Sequence, residues 1–260
     1  MQNLTITIIQ SSLYWENIDK NLKMFARKIS SVNEKTDLII LPEMFSTGFT
    51  MNNKPLAENM NGRTVEWMKK IAKEKKCVVT GSIIINENKK YYNRLIWMQP
   101  NGKFKTYDKR HLFRYAGEEK YYNSGKKKLI VELKGWKICP MICYDLRFPI
   151  WTRNKNKEYD ALIFVANWPE RRNYPREALL LARAIENQAY VVGVNRVGKD
   201  GNEINHSGDS VVINPQGEVI AKAKPNEENN LTATLSYSAL EEWRKKFPAW
   251  MDADNFKILQ

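Results

Sequence analysis

Glu43, Lys109 and Cys143 are the side chains of this chain whose types and placement suit amide chemistry. A carboxylate takes the proton of a thiol, the thiolate attacks a carbonyl carbon, and an ammonium stabilises both the thiolate and the oxyanion of the tetrahedral intermediate. Taken singly the three are weak signals, because a buried cysteine is usually inert core and a lone glutamate or lysine is usually solvated. What joins them is position. Glu43 follows the apolar run 38–41, Lys109 follows 104–107 and Cys143 follows 138–142. In an α/β sheet the carboxyl ends of strands are where ligands bind, so such residues converge from far apart in sequence. Cys143 lies in K-I-C-P-M-I-C-Y-D-L-R-F-P, residues 137–149. There a strand gives way to a turn and the approach to a helix, a setting in which sheet enzymes present a nucleophile.

The elements that must position these groups alternate along the chain. Residues 4–10 are rich in β-branched side chains and read as a strand, and 18–32 carries Leu22, Phe25, Ala26 and Ile29 at helical spacing. Residues 37–41 read as a central strand, 64–76 as a helix and 77–85 as another unbroken apolar strand. Residues 91–98 and 104–107 flank Asn101-Gly102, a hairpin signal, and 108–125 is a long polar and aromatic loop of the kind that carries function. A second hairpin, 129–133 and 136–142 around Lys134-Gly135, delivers Cys143. Strands over 161–166, 190–195, 210–213, 219–223 and 231–235 follow, with a helix over 175–187 and an amphipathic aromatic segment over 239–250. That last segment is apolar enough to need a surface to pack on, in its own domain or in another subunit. The pattern predicts a layered α/β fold with a mixed sheet or a pair of sheets.

Composition bounds the rest. The 260 residues suffice for one large domain, and no Pro/Gly/Ser-rich linker divides them. The formal charge of +13 comes from lysines in short groups such as Lys73, Lys75, Lys76 and 126–128, with acids between them and no recognition motif. A solvated basic surface is therefore expected, without nucleic-acid binding. No apolar run approaches the ~18 residues of a membrane span, and the sequence starts directly on its first strand without a secretory leader. Three cysteines, Cys77, Cys139 and Cys143, are an odd number, so reduced thiols and a cytoplasmic setting are expected. Cys139 and Cys143 are spaced C-x-x-x-C, which argues against a redox pair. Only His111 and His206 are present, too few for a zinc cluster. His111 is near enough to Lys109 to orient the site, but its surroundings are not those of a Cys–His protease.

The segments L-P-E-M-F-S-T-G-F, Y-D-K-R-H-L-F and M-I-C-Y-D-L-R-F-P, in that order, resemble the nitrilase superfamily of carbon–nitrogen hydrolases. The resemblance implies a four-layer αββα sandwich and a triad of Glu43 as general base, Lys109 as electrostatic stabiliser and Cys143 as nucleophile. A second family glutamate maps to Glu118 by its distance from Gly125, with Glu119 as the competing choice. It further implies catalysis without metal or organic cofactor, a backbone N–H of Tyr144 beside Lys109 at the oxyanion, and subunits paired as a homodimer or larger homo-oligomer. The expected organisation is a catalytic domain over residues 1–235 and a C-terminal tail over 236–260 that packs on the domain or on a partner.

Within the superfamily A-N-W-P-E-R-R, H-S-G-D-S-V-V-I-N-P-Q-G and K-F-P-A-W-M-D-A-D resemble the bacterial omega-amidase branch. The implied substrates are the ω-amides of 2-oxo acids, 2-oxoglutaramate and 2-oxosuccinamate. A deaminated-glutathione amidase or an N-carbamoyl hydrolase is the alternative within the superfamily, and a catalytically silent binding or scaffold protein the alternative outside it. A carboxylate-bearing substrate asks for a guanidinium. Arg147 is the candidate, by the resemblance to carbamoylases that place an Arg at the matching position; a structural ion pair with Asp145 or another acid is its other reading. Asn167 and Trp168 at the end of a strand, and Phe49 and Phe113 in the loops after Glu43 and Lys109, are expected as pocket walls.

Overall fold

Leu38 and Ile40 face one way along their strand, Ile39 and Leu41 the other, and all four are fully buried. A strand with two apolar faces has to lie between two layers. The computed structural model describes residues 2–258, so the last two residues of the expected tail fall outside them, and it shows what those layers are. One sheet holds β1 (Leu4–Gln10), β2 (Leu38–Ile40), β3 (Val78–Glu87), β4 (Lys90–Met98) and β5 (Phe104–Asp108). The other holds β6 (Val131–Leu133), β7 (Trp136–Ile142), β8 (Ala161–Val165) and β9 (Tyr190–Val194). A short hairpin of β10 (Val197–Lys199) and β11 (Asn205–Ser207) precedes β12 (Val211–Ile213), β13 (Val219–Lys222) and β14 (Asn229–Leu235).

The first sheet runs in the order β14-β1-β2-β3-β4-β5 and the second β13-β12-β9-β8-β7-β6. Each has a parallel centre, β1-β2-β3 and β7-β8-β9, with antiparallel strands at its edges. The inner faces meet in one core: Ile6, Ile8, Leu38 and Ile40 from the first sheet pack with Ile138, Ile163, Val192 and Val212 from the second. On the outer face of the first sheet, Ile39, Leu41 and Val79 meet the helices Ile18–Ser30 and Arg63–Lys75 through Phe25, Ile29, Met68 and Ile71. The helix Asn173–Asn187 covers the second sheet with Leu180 and Ala184. This is the four-layer αββα sandwich.

The amphipathic C-terminal segment becomes the helix Tyr237–Lys246, capped by the Ser236 side chain on the Ala239 N–H. It docks on the second sheet through buried Leu240 and through Arg244, which donates to Asp160 Oδ1 at 2.7 Å and to the Gln188 and Tyr159 carbonyls. Phe247 and Met251 beyond it stay exposed. Two features carried no clear sequence signal. The β3–β4 hairpin turns on Asn88 and Lys89, both at positive φ. The β10–β11 hairpin lies in the polar stretch between the strands expected over 190–195 and 210–213.

Candidate active site

The carboxyl ends of strands from both sheets open onto one cavity of about 390 Å³, lined by Glu43, Lys109 and Cys143 among others. Glu43 lies three residues beyond β2, Lys109 directly after β5 and Cys143 directly after β7. Lys109 is held in register by the loop that follows it. The Gly125 N–H donates to the Lys109 carbonyl at 2.9 Å, and a Cβ at Gly125 would collide with the Asp108 carbonyl oxygen.

Lys109 is fully buried and spends its three N–H groups on carboxylates, donating to Glu43 Oε1 at 2.9 Å and to Glu118 Oε1 and Oε2 at 3.0 and 2.9 Å. Burial works against its charge, but Glu118 and Glu43 outweigh it and hold the ammonium above its ordinary pKa. Glu118 is raised by burial, against Lys109, with Glu43 adding to the rise. Glu118 therefore meets the lysine, while Glu119 pairs with Arg114 at 3.6 Å. Glu118 does not line the cavity; it stands behind Lys109, tied by the Phe113 N–H at 2.5 Å.

Glu43 is fixed from three more directions. The Asn93 side chain donates to Oε1 at 2.8 Å, the Asn167 N–H donates to Oε2 at 2.9 Å, and Asn167 Nδ2 donates to the Glu43 carbonyl. Asn167, expected as a wall, thus lines the cavity and also orients the carboxylate. Asn93 was not singled out from the sequence; its one signal is a polar side chain inside an apolar strand.

Cys143 has φ +44°, a left-handed conformation that a non-glycine residue holds only when its surroundings impose it. It opens the 3-10 turn Cys143–Arg147, whose first N–H groups have no acceptor within the turn. Burial and the Glu43 carboxylate push the thiol well above its ordinary pKa, with Lys109 opposing. At rest the group is a thiol beside a base.

Asp145 sets this turn. Its Oδ2 accepts from the Ile142 N–H at 3.1 Å and the Tyr107 hydroxyl at 2.8 Å, and its Oδ1 accepts from the His111 N–H at 3.0 Å and contacts His111 Nδ1 at 2.8 Å. His111 stacks on Phe148, with ring centroids 3.7 Å apart. Asp145 therefore ties the cysteine turn to the segment that carries Lys109. It does not pair with Arg147, so that expectation is corrected: among the described residues Arg147 has no ion-pair partner, and its guanidinium lies 5.1 Å over the Trp168 ring.

Phe49, Phe113, Tyr144, Arg147 and Trp168 all line the cavity. Lys109 Nζ lies 5.0 Å from the Phe49 ring centre, and Phe113 packs edge-on against Tyr144. Missed by the sequence reading are Arg171 and Arg172, together with Asp200, Asn202, Ile204 and His206 from the β10–β11 hairpin. Among the described residues no cluster of three or more His, Cys, Asp or Glu side chains has metal-ligating geometry.

A thiol, a fixed carboxylate and a buried ammonium around one cavity suit amide hydrolysis, and the chain belongs to the carbon–nitrogen hydrolase family, whose model matches residues 5–245. It is 46% identical over 260 residues to the omega-amidase YafV of Escherichia coli K12, covering 99% of this chain and 100% of that one. It is 32% identical over 253 residues to the 2-oxoglutaramate amidase of Bacillus subtilis, covering 95% and 96%. Among solved structures, XC1258 of Xanthomonas campestris superposes with a TM-score of 0.97 at 40% identity over 99% of this chain and 100% of that one. That protein is a CN-hydrolase superfamily member with an arsenic adduct in its active site.

Proposed function

We propose that this protein is an omega-amidase that hydrolyses the terminal amide of 2-oxo acid amides, with 2-oxoglutaramate and 2-oxosuccinamate as substrates. The full-length similarity to proteins of that activity supports it. The structural observation that carries it is one cavity with Glu43, Lys109 and Cys143 at its floor and the unpaired Arg147 guanidinium in its wall. A short ω-amide with a carboxylate at its far end matches both.

In this reading Glu43 takes the Cys143 proton as Sγ attacks the amide carbon. The oxyanion is held by the Tyr144 N–H and by Lys109, one of whose bonds to the carboxylates lengthens as it turns to the new charge. Glu43 passes its proton to the amide nitrogen, the C–N bond breaks and ammonia leaves a thioester on Cys143. Glu43 then activates water, which attacks the thioester and releases the 2-oxo dicarboxylate and the thiol. Glu118 keeps Lys109 aimed and charged.

The reading extends to a cytoplasmic homodimer or larger homo-oligomer. Cys77 and Cys139 are buried and unpaired, as suits a reducing compartment. Exposed Leu181 and Ile185 lie beside the Gly217 turn, near exposed Val219 and Ile220, an apolar surface suited to a second copy. Among the described residues no helix is long and apolar enough to cross a membrane.

Ammonia release from 2-oxoglutaramate, 2-oxosuccinamate, glutamine and a simple nitrile tests the substrate assignment. Selective release from the two oxo-acid amides is expected. Silence on both, with Cys143 still reactive to electrophiles, would reject the substrate and turn attention to deaminated glutathione or carbamoyl compounds.

A further inference from the structure

Arg172 shares the cavity with Arg147, and neither guanidinium has an ion-pair partner among the described residues. Arg172 ends the 3-10 turn Glu170–Arg172 and lies 5.2 Å over the Phe113 ring and 5.7 Å from the Tyr115 ring. Arg147 lies over Trp168, and the Trp168 indole N–H donates to the Arg172 carbonyl at 2.8 Å, so one side chain spaces the two cations. A guanidinium stacked by its face on an aromatic ring keeps its N–H edge free, and that edge is the part that matches a carboxylate. Burial and the nearby charges of Arg171 and Arg147 push Arg172 below its ordinary pKa. An anion in the cavity would offset both costs, and Asp200 is the one carboxylate besides Glu43 among the lining residues.

The floor and the rim are thus opposite in character. Lys109 is outnumbered by Glu43 and Glu118 below, whereas Arg147, Arg171 and Arg172 outnumber Asp200 above. An amide fits the first environment and a carboxylate the second. We propose that Arg172 is a specificity-determining residue that joins Arg147 in gripping the substrate carboxylate remote from the scissile amide. This rests on the omega-amidase reading for the identity of the substrate, although the grip itself is a property of the cavity.

The test compares wild type with Arg172→Gln in two measurements: steady-state hydrolysis of 2-oxoglutaramate, and alkylation of Cys143 by neutral iodoacetamide with glutarate added as a dicarboxylate protector. Losing one charge-assisted contact should raise KM about ten- to a hundredfold, far more than it lowers kcat. The glutarate concentration giving half-protection should rise in step, while unprotected alkylation keeps its rate. An unchanged KM and unchanged protection overturn the proposal. So does a fall in kcat and in unprotected alkylation with no shift in protection, which would mark Arg172 as a structural support. If wild type hydrolyses neither oxo-acid amide, the substrate assignment falls, and protection still decides the grip: a weakened effect of glutarate in Arg172→Gln upholds it, and equal or absent protection in both proteins overturns it.

Discussion

The floor and the rim of the cavity are built by different means. Glu43 and Lys109 are fully buried, stand at or near strand ends and are fixed by several hydrogen bonds each, with buried Glu118 behind Lys109 on a turn of its own. Arg147 and Arg172 are half-buried, sit on short 3-10 turns and are fixed by stacking on aromatic rings. The first arrangement holds charge in a dry place, where each contact is strong and each loss costly. The second keeps charge available for a ligand. In the proposed reading, chemistry is thereby anchored to the two sheets, and the choice of substrate is left to loops and the β10–β11 hairpin.

The sharpest way to break this division is at the floor. Glu43→Gln and Lys109→Met should each lower kcat by about 10²- to 10⁴-fold, the scale of losing a general base or an oxyanion donor. The double variant should lose little more than the worse single one, because the two groups act as a unit. Steady-state kinetics checks this; near-normal kcat in either single variant would remove that residue from the floor.

The rim offers a smaller effect on stability. His206, on β11, is buried, and burial with the nearby Arg196 charge lowers its pKa to about 4, Asp200 opposing. The unfolded chain binds the proton near 6.5 and the folded one near 4, so stability is fully present above pH 6.5 and is lost as pH falls toward 4. Unfolding free energies from urea curves of wild type and His206→Gln should shift across that window by up to roughly 3 kcal/mol in favour of the variant. Parallel curves would show that the imidazole is not held neutral.

The tether that joins the two halves of the floor should show the smallest effect. Asp145→Asn keeps one acceptor oxygen but replaces the other by an NH2 that faces donors. A kcat loss of about tenfold, with KM little changed, is expected if the tie between the cysteine turn and the Lys109 segment only positions the floor. A rise in KM alone would assign Asp145 to the rim.

How legible these regions were in the sequence follows the same line. Glu43, Lys109 and Cys143 stood out because each follows a strand-like run, and the uniformly apolar 38–41, without polar alternation, already implied a strand between two layers. Asn93 did not, since nothing in Y-Y-N-R-L-I-W-M says which polar side chain turns inward. The β10–β11 hairpin was silent because its strands are three residues long and mostly polar, so no alternation could build up. Arg172 lay inside A-N-W-P-E-R-R in plain view, but stacking on Phe113, 59 positions earlier, is a tertiary fact. Asp145 is close enough to Arg147 in sequence to offer an ion pair as the alternative to substrate binding, whereas the turn aims its carboxylate at Tyr107 and His111 instead.

In the proposed reaction the Sγ of Cys143 is the atom that carries the acyl group. Ammonia release from 2-oxoglutaramate by Cys143→Ala, beside wild type and with matched circular dichroism to show an intact fold, tests it most directly. Turnover in wild type and none above the blank in the variant is the predicted result. Substantial release by the folded variant would contradict the thioester route.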